Sequence, residues 1–316
     1  MMPLGSALHH LLNRFSILEI IGGWMPGDVF PAFFEMEMLQ RALIASVLVT
    51  VVAGLYGTYL MLRNLSLIGD GLAHVSFGGV AVGVTLGAVA PLWYALGFSI
   101  VASIIIYELQ SREIVTGDTS IAIFLTGMLA FGLVVLRLYS KGITTDIEGY
   151  LFGSLVLVDT YSLNLITWIS FLALLGLALF HRALLAITVD HVAARMQGIP
   201  VHLVGLWFSI TVATIVVSMV QVIGALLVTA LLVTPAATAQ LVSRSFRGSL
   251  LWTQAFGLSS TLIGLYLSAE LNTGSGSMIA LVAASIFALV GVLKLANTHI
   301  KPFDSSQEKH VERVDG

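Results

Sequence analysis

Seven stretches of the chain contain no Asp, Glu, Lys or Arg: 42–62, 71–107, 119–136, 160–180, 196–243, 248–269 and 271–293. A helix needs about 20 apolar residues, at about 1.5 Å each, to cross about 30 Å of hydrocarbon. Five of these stretches hold one span each, while 71–107 and 196–243 are long enough for two. The chain is therefore read as an all-α, polytopic bundle of about nine transmembrane spans, or eight if one pair merges. The spans are placed at 39–62, 66–90, 92–109, 120–138, 160–180, 201–220, 223–243, 249–269 and 277–296. Alternating segments of about ten residues, as in a β-barrel, are missing. Charged residues make up 10% and hydrophobic residues 58% of the chain, against about 25% charged in a soluble domain. A water-exposed surface cannot be built from that composition.

Basic residues set the orientation, because short cytoplasmic loops retain Lys and Arg. With the 181–199 loop inside, that side carries Arg63, Arg112, Arg182, Arg195, Arg244, Arg247, Lys294, Lys301, Lys309 and Arg313. The other side carries Arg14, Arg41, Arg137 and Lys141. Ten against four places the C-terminus in the cytoplasm and, with nine spans, the N-terminus outside. Residues 1–36 read as a partly amphipathic extension and 37–298 as one membrane domain. Residues 299–316 read as a polar cytoplasmic tail.

Ionisable residues inside a span are costly, so each is a functional candidate. Asp70 and His74 lie four apart near the start of the second span, which stacks them on one helix face. A carboxylate with an imidazole suits Zn²⁺, Mn²⁺ or Fe²⁺; the plainer reading leaves both in the headgroup layer. Two ligands are too few for such an ion, and a homodimer with these helices facing its axis would supply four. Pro235 lies inside a span with Thr234 and Thr238 beside it. A bent helix at membrane depth needs protein or a hydrated cavity against it, which marks 223–243 as a wall of the pathway. Glu270 and Asn272 read first as loop residues, with an entry gate as the alternative and Glu270 as a speculative metal ligand. Glu108 and Arg112, also four apart, read as a surface pair, and His181, His191 and His202 as interfacial residues. Clustered glycines at Gly78, Gly79, Gly83 and Gly87 indicate close helix approach, within one subunit or at a dimer face.

Several chemistries are excluded. Without cysteine there is no disulfide or thiolate site. No GxxxxGK[ST] loop is present to bind ATP, and neither HExxH nor GxSxG occurs. Scattered basic residues offer no nucleic-acid face.

Four segments carry a family resemblance: 40–83 (QRALIASVLVTVVAGLYGTYLMLRNLSLIGDGLAHVSFGGVAVG), YLFGS at 150–154, DHVAARMQGIP at 190–200 and GALLVTALLVTPAATAQLV at 224–242. The first contains a Gly-Asp-x-x-x-His signature and the last a Pro-Ala-Ala-Thr-Ala helix. The chain resembles the permease subunit of zinc, manganese and iron ABC importers over about residues 30–296. The resemblance implies that Asp70 and His74 line an ion path as transient ligands. It also implies that 190–198, with Asp190, Ala194, Arg195 and Gly198, docks on a cytoplasmic ABC ATPase. It further implies two permease chains, an extracytoplasmic metal-binding protein, and a location in the lipid of the bacterial cytoplasmic membrane. No cofactor is expected to stay bound; the metal is cargo, and YLFGS leans the choice toward zinc. ATP hydrolysis belongs to the separate subunit, so the chain is read as a non-enzyme. Where the family often has Asp-x-Pro-Ser-Gly, this chain has Asn272-Thr273-Gly274-Ser275-Gly276, which puts a ligand role at Asn272 in doubt. The rival readings are a proton-coupled carrier and a membrane enzyme, each using Asp70 and His74 as acid and base.

Overall fold

The computed structural model describes residues 4–14, 27, 29–88, 90–139, 145–153 and 158–299. Fourteen α-helices follow one another in these residues. They are α1 Leu4–Arg14, α2 Ala32–Glu35, α3 Glu37–Leu62, α4 Ile68–Thr85, α5 Leu92–Ser111, α6 Gly117–Tyr139 and α7 Thr145–Phe152. After these come α8 Thr160–Val189, α9 His191–Met196, α10 Val201–Ile223, α11 Val228–Leu232, α12 Thr234–Val242, α13 Phe246–Glu270 and α14 Ser275–His299. Among the described residues there is no strand. Lipid leaves no water for free backbone groups, so each apolar stretch closes its own hydrogen bonds as a helix.

Eight segments are long and apolar enough to cross a membrane. The ninth expected span, around 66–90, forms the 18-residue α4, which is not among the eight. Asp70, His74, Ser76 and several glycines dilute its apolar character, and fourteen of its residues are buried. It is enclosed by α5, α6, α10 and the α11 segment. A helix shielded from lipid by protein has no need to be uniformly apolar. The expected tail lies outside the described residues from 300 onward.

The connections are short because the helix ends are tied off locally. Five helices close with a bond from a backbone N–H to the carbonyl five residues earlier: Leu65 to Leu60, Ala88 to Gly83, Ile114 to Leu109, Ile199 to Ala194 and Thr273 to Ser268. The residue before each donor is left-handed: Asn64, Gly87, Glu113, Gly198 and Asn272. This is the Schellman ending, which satisfies carbonyls that the last helical turn leaves open. Asp159 and Ser245 cap the starts of α8 and α13 by accepting from the N–H groups of Ser162 (2.8 Å) and Gly248 (3.1 Å).

Inside the bundle, α3 is the hub. Its Tyr56 hydroxyl donates to the Ala173 carbonyl of α8 (2.9 Å). Two hydroxyl pairs join it to α13, Thr50–Thr261 at 2.8 Å and Thr58–Thr253 at 3.1 Å. Gln254 Nε2 adds a bond to the Val51 carbonyl (2.9 Å). Small residues serve the same purpose sterically. A side chain at Gly79 would overlap the backbone of Tyr94 and Ala95 in α5, and one at Gly78 would overlap Met128 in α6. The glycines of α4 therefore serve contacts within one chain.

Residues near the N-terminus are built into the same body. Ser6 N–H of α1 donates to Asn164 Oδ1 (2.9 Å), and His9 Nε2 meets Gln40 Oε1 (2.9 Å) in a buried contact.

Candidate metal pathway

The site starts from a glycine. A Cβ at Gly69 would lie 2.7 Å from Leu232 Cδ2, so a side chain there would push the Leu232 side chain aside where α4 settles onto α11. The next residue, Asp70, then reaches across and accepts a hydrogen bond from the Thr229 hydroxyl. Gly57 does the same for α3, where any side chain would overlap the Leu232 carbonyl. Two helices, α3 and α4, thus converge on Val228–Leu232, a five-residue helix between a 3₁₀ turn (Ala225–Leu227) and α12.

Breaking of the 223–243 span is the expected effect of Pro235, and the structure shows where it falls. The helix interrupts at Val233, and Pro235 stands at the first turn of α12. Proline removes the N–H that would meet the Leu231 carbonyl. Thr238 Oγ1 turns back onto the Thr234 carbonyl (2.8 Å). Pro235 is buried, facing Gly257 of α13, where Thr50 of α3 also arrives. At the opposite end of α11, Gly224 (φ +93°) and Gly153 (φ +79°) cross with their backbones packed close, and Gly276 lies against the Ile223 and Phe152 carbonyls. Gly153 of YLFGS, Gly224 of GALLVT and the first turn of α14 therefore meet at one point, which gives the glycine of YLFGS a steric reason.

His74, one turn along α4 from Asp70, is 6% exposed, and its Nδ1 has no hydrogen-bond partner among the described residues. A buried polar nitrogen left open costs about 1–3 kcal/mol and is a feature to be explained. Asp70 is only half-buried. Among the described residues, no three His, Asp or Glu side chains gather into a metal-holding group. The pair thus stands as two ligands, as its spacing predicts. α4 is mostly enclosed by its own chain, so the arrangement in which it faces a second copy is not one this conformation presents ready-made. The half-buried carboxylate is the more reachable of the two groups.

Below Ile68, at the basic end of the bundle, lies a cavity of about 180 Å³. Arg63, Tyr107, Gln110, Phe208 and, from α9, His191 line it. Arg63 rests over the Phe208 ring, 5.1 Å from its centroid, a cation–π contact. A second cavity of about 260 Å³ shares Tyr107 and His191 and adds Glu108, Arg112, Arg195 and His202. The Glu108–Arg112 pair forms as expected, at 3.0 Å, and Glu108 also meets His202 Nε2 at 2.8 Å. His181 Nδ1 meets the Ala178 carbonyl of its own helix, at 2.9 Å.

The 190–198 segment is a short helix with well-defined ends. Asp190 Oδ1 accepts from the N–H groups of Val192 (2.8 Å) and Ala193 (2.9 Å), and Gly198 takes φ +79° at the exit. Ala194 is buried, while Arg195 is exposed together with Val189 (78%), Val192 (66%) and Met196 (85%). These three apolar side chains are exposed at the end of the bundle where basic residues are concentrated.

Glu270 is placed elsewhere. Its Oε1 accepts from the N–H groups of Val29 (3.0 Å) and Phe30 (2.9 Å), and Phe30 stacks edge-on against Tyr266. Glu270 thus anchors the chain entering α2 and does not join Asp70 and His74. Asn272 forms the left-handed corner before α14. Thr229 is the functional candidate missed by sequence reasoning, although it lies within the GALLVTALLVT segment already singled out.

The class of protein that carries this broken apolar helix, this carboxylate–imidazole pair and this short helix at the basic end is given by its family match: a transport permease. The chain belongs to the ABC 3 transport family, which it matches over residues 35–294. It is 32% identical over 253 residues to the manganese import system permease protein ScaB of Streptococcus gordonii, covering 80% of this chain and 90% of that protein. It is 33% identical over 260 residues to the manganese transport system membrane protein MntC of Halalkalibacterium halodurans, covering 82% and 88%. Among solved structures, a chain of PsaBC from Streptococcus pneumoniae in complex with Fab superposes with a TM-score of 0.73 at 30% identity. That match covers 83% of this chain and 93% of the other. The protein is a multi-pass membrane permease of the bacterial ABC-importer type.

Proposed function

We propose that this chain forms the membrane path of an ATP-driven importer of divalent transition metal ions, and that Asp70 and His74 are its transit ligands. The observation that carries this reading is the unpartnered His74 Nδ1 one turn from a carboxylate tethered to the broken helix. Such a pair binds weakly enough to release an ion and still replaces part of its water. The relatives favour manganese as the cargo, since ScaB and MntC are named for it. The preference for zinc read from YLFGS has no such support. Oxygen and nitrogen ligands without sulfur suit Mn²⁺.

The remaining assignments follow from the same reading. Residues 190–198 receive a cytoplasmic ATPase, whose motion acts on the wall of the cavity beneath Ile68 through His191. An extracytoplasmic metal-binding protein delivers the ion, and a second copy of the chain completes the ligand set as the α4 helices rearrange. Membership of a transport family favours this reading over the acid–base enzyme.

The test is uptake of radioactive Mn²⁺ by cells carrying Asp70→Ala with His74→Ala. Uptake at the level of a deletion strain, with normal amounts of the protein in the membrane, is the expected result. Unimpaired uptake excludes the pair from the path.

A further inference from the structure

The cavity of about 180 Å³ beneath Ile68 joins two parts of the molecule that the proposed transport uses separately. One edge of it is His191, the first residue of α9; another is Ile68, the first residue of α4 and two before Asp70. Along α10 its wall runs from Val201 to Ser209, about 12 Å at about 1.5 Å per residue. The cavity thus reaches from the basic end of the bundle toward the foot of the helix that carries Asp70 and His74.

Its charge is of one sign. Tyr107, Gln110, Ser111 and Ser209 are polar, but no carboxylate is among the lining side chains, and the one permanent charge is Arg63. Arg63 directly follows α3 and rests on the Phe208 ring. Among the described residues its guanidinium has no hydrogen bond and no ion pair, and its nitrogens stay open to water. Glu108, the carboxylate of the neighbouring cavity, is committed to Arg112 and His202. The C-terminal end of α3 carries about half a unit of negative charge, which offsets only part of the guanidinium. A cation kept without a counter-ion at the edge of a membrane bundle is a functional candidate.

We propose that Arg63 guards the inner end of the ion path, its charge keeping divalent cations of the cytoplasm from entering this cavity and rebinding Asp70 while the importer is at rest. The guard rests on the transit role proposed for Asp70 and adds a direction to it. A carboxylate open to the cytoplasm accepts Mg²⁺ as well as Mn²⁺, so a pair that serves ions from outside has to be screened from those inside. A fixed positive charge does this without a bulky plug, because like charges repel before they touch. The side chain is also free to yield. A ring contact holds it instead of hydrogen bonds, and His191 of α9 shares its cavity, so a pull on α9 opens space into which the guanidinium withdraws.

The experiment uses the assembled importer, permease with ATPase, in liposomes. ATP and graded unlabelled Mn²⁺ are enclosed, and the metal-binding protein loaded with radioactive Mn²⁺ is outside. Initial uptake is read relative to each variant's own rate without internal Mn²⁺, and the ATPase is the same throughout. A unit charge about 10 Å from a divalent ion, at an effective dielectric of about 45, changes the local ion concentration about tenfold. Arg63→Gln is therefore expected to reach half inhibition at about tenfold lower internal Mn²⁺ than the wild type, while Arg63→Lys behaves as the wild type. Equal sensitivity in Arg63→Gln and the wild type overturns the guard, and so does Arg63→Lys as sensitive as Arg63→Gln. Arg63→Met, whose stem keeps its place on Phe208, answers the same question if Arg63→Gln does not assemble. A wild-type importer that takes up no Mn²⁺ overturns the proposed transport and the guard with it, whereas uptake with unaltered sensitivity removes the guard alone.

Discussion

Two seams in this bundle are made of polar side chains, and they are built on opposite plans. Between α3 and α13, Thr50 meets Thr261 and Thr58 meets Thr253. Thr50 donates to the carbonyl one turn back in its own helix, which makes Thr261 the donor of that pair, while Thr58 and Thr253, with one proton each, share them between each other and the carbonyls of Gly54 and Ser249. These groups are neutral, and their hydrogen bonds do not depend on any ion. Between α4 and α11 stand a carboxylate held by one hydroxyl and an imidazole with an open nitrogen. Hydroxyl seams hold membrane helices together at modest gain. A charged or open group at the same depth costs free energy and persists for function. On the proposed function, the difference separates glue from machinery.

The comparison can be broken first at Asp70. Asp70→Asn keeps an acceptor for Thr229 but removes the charge, and uptake of Mn²⁺ falls to background while thermal stability in detergent changes little. A variant that transports normally would make the two seams equivalent. Thr229→Val frees the carboxylate from its tether. Groups that orient a ligand are worth about 10–100-fold in metal affinity or activity, so a transport loss of about tenfold is expected, measured as initial uptake rate against membrane abundance. Thr50→Val combined with Thr261→Val should do the reverse. Uptake persists, and the pair's coupling energy in a double-mutant thermal cycle comes to about 0.6 kcal/mol. Loss of transport without loss of stability there would move the α3–α13 seam into the mechanism.

The seams also differ in how far the chain betrayed them beforehand. Charge-free stretches marked nine spans, α4 among them, because lipid admits few charges and demands closed hydrogen bonds. Length and apolar character alone leave α4 out, since its neighbours do the shielding that an apolar surface would otherwise do. Pro235 announced its break, since the cost of a missing N–H is local. Asp70 and His74 were legible from helical spacing, but Thr229 was not, for it lies 159 residues from Asp70 and nothing in one chain ties them. Glu270 was legible only as a loop residue, with its partners unread, for a related reason. Its two backbone donors, at Val29 and Phe30, are 241 and 240 residues away, and backbone N–H groups leave no trace in residue identity. Discrimination between manganese and zinc fared worst, because both accept the same oxygen and nitrogen ligands.

The direct test of the central claim is pulsed electron paramagnetic resonance of Mn²⁺ caught in the assembled importer, with ¹⁵N-labelled histidine in the permease. The account predicts an imidazole nitrogen coupling to the ion that vanishes in His74→Ala. A spectrum with the same nitrogen coupling in that variant would mean that another histidine, or none on α4, meets the metal.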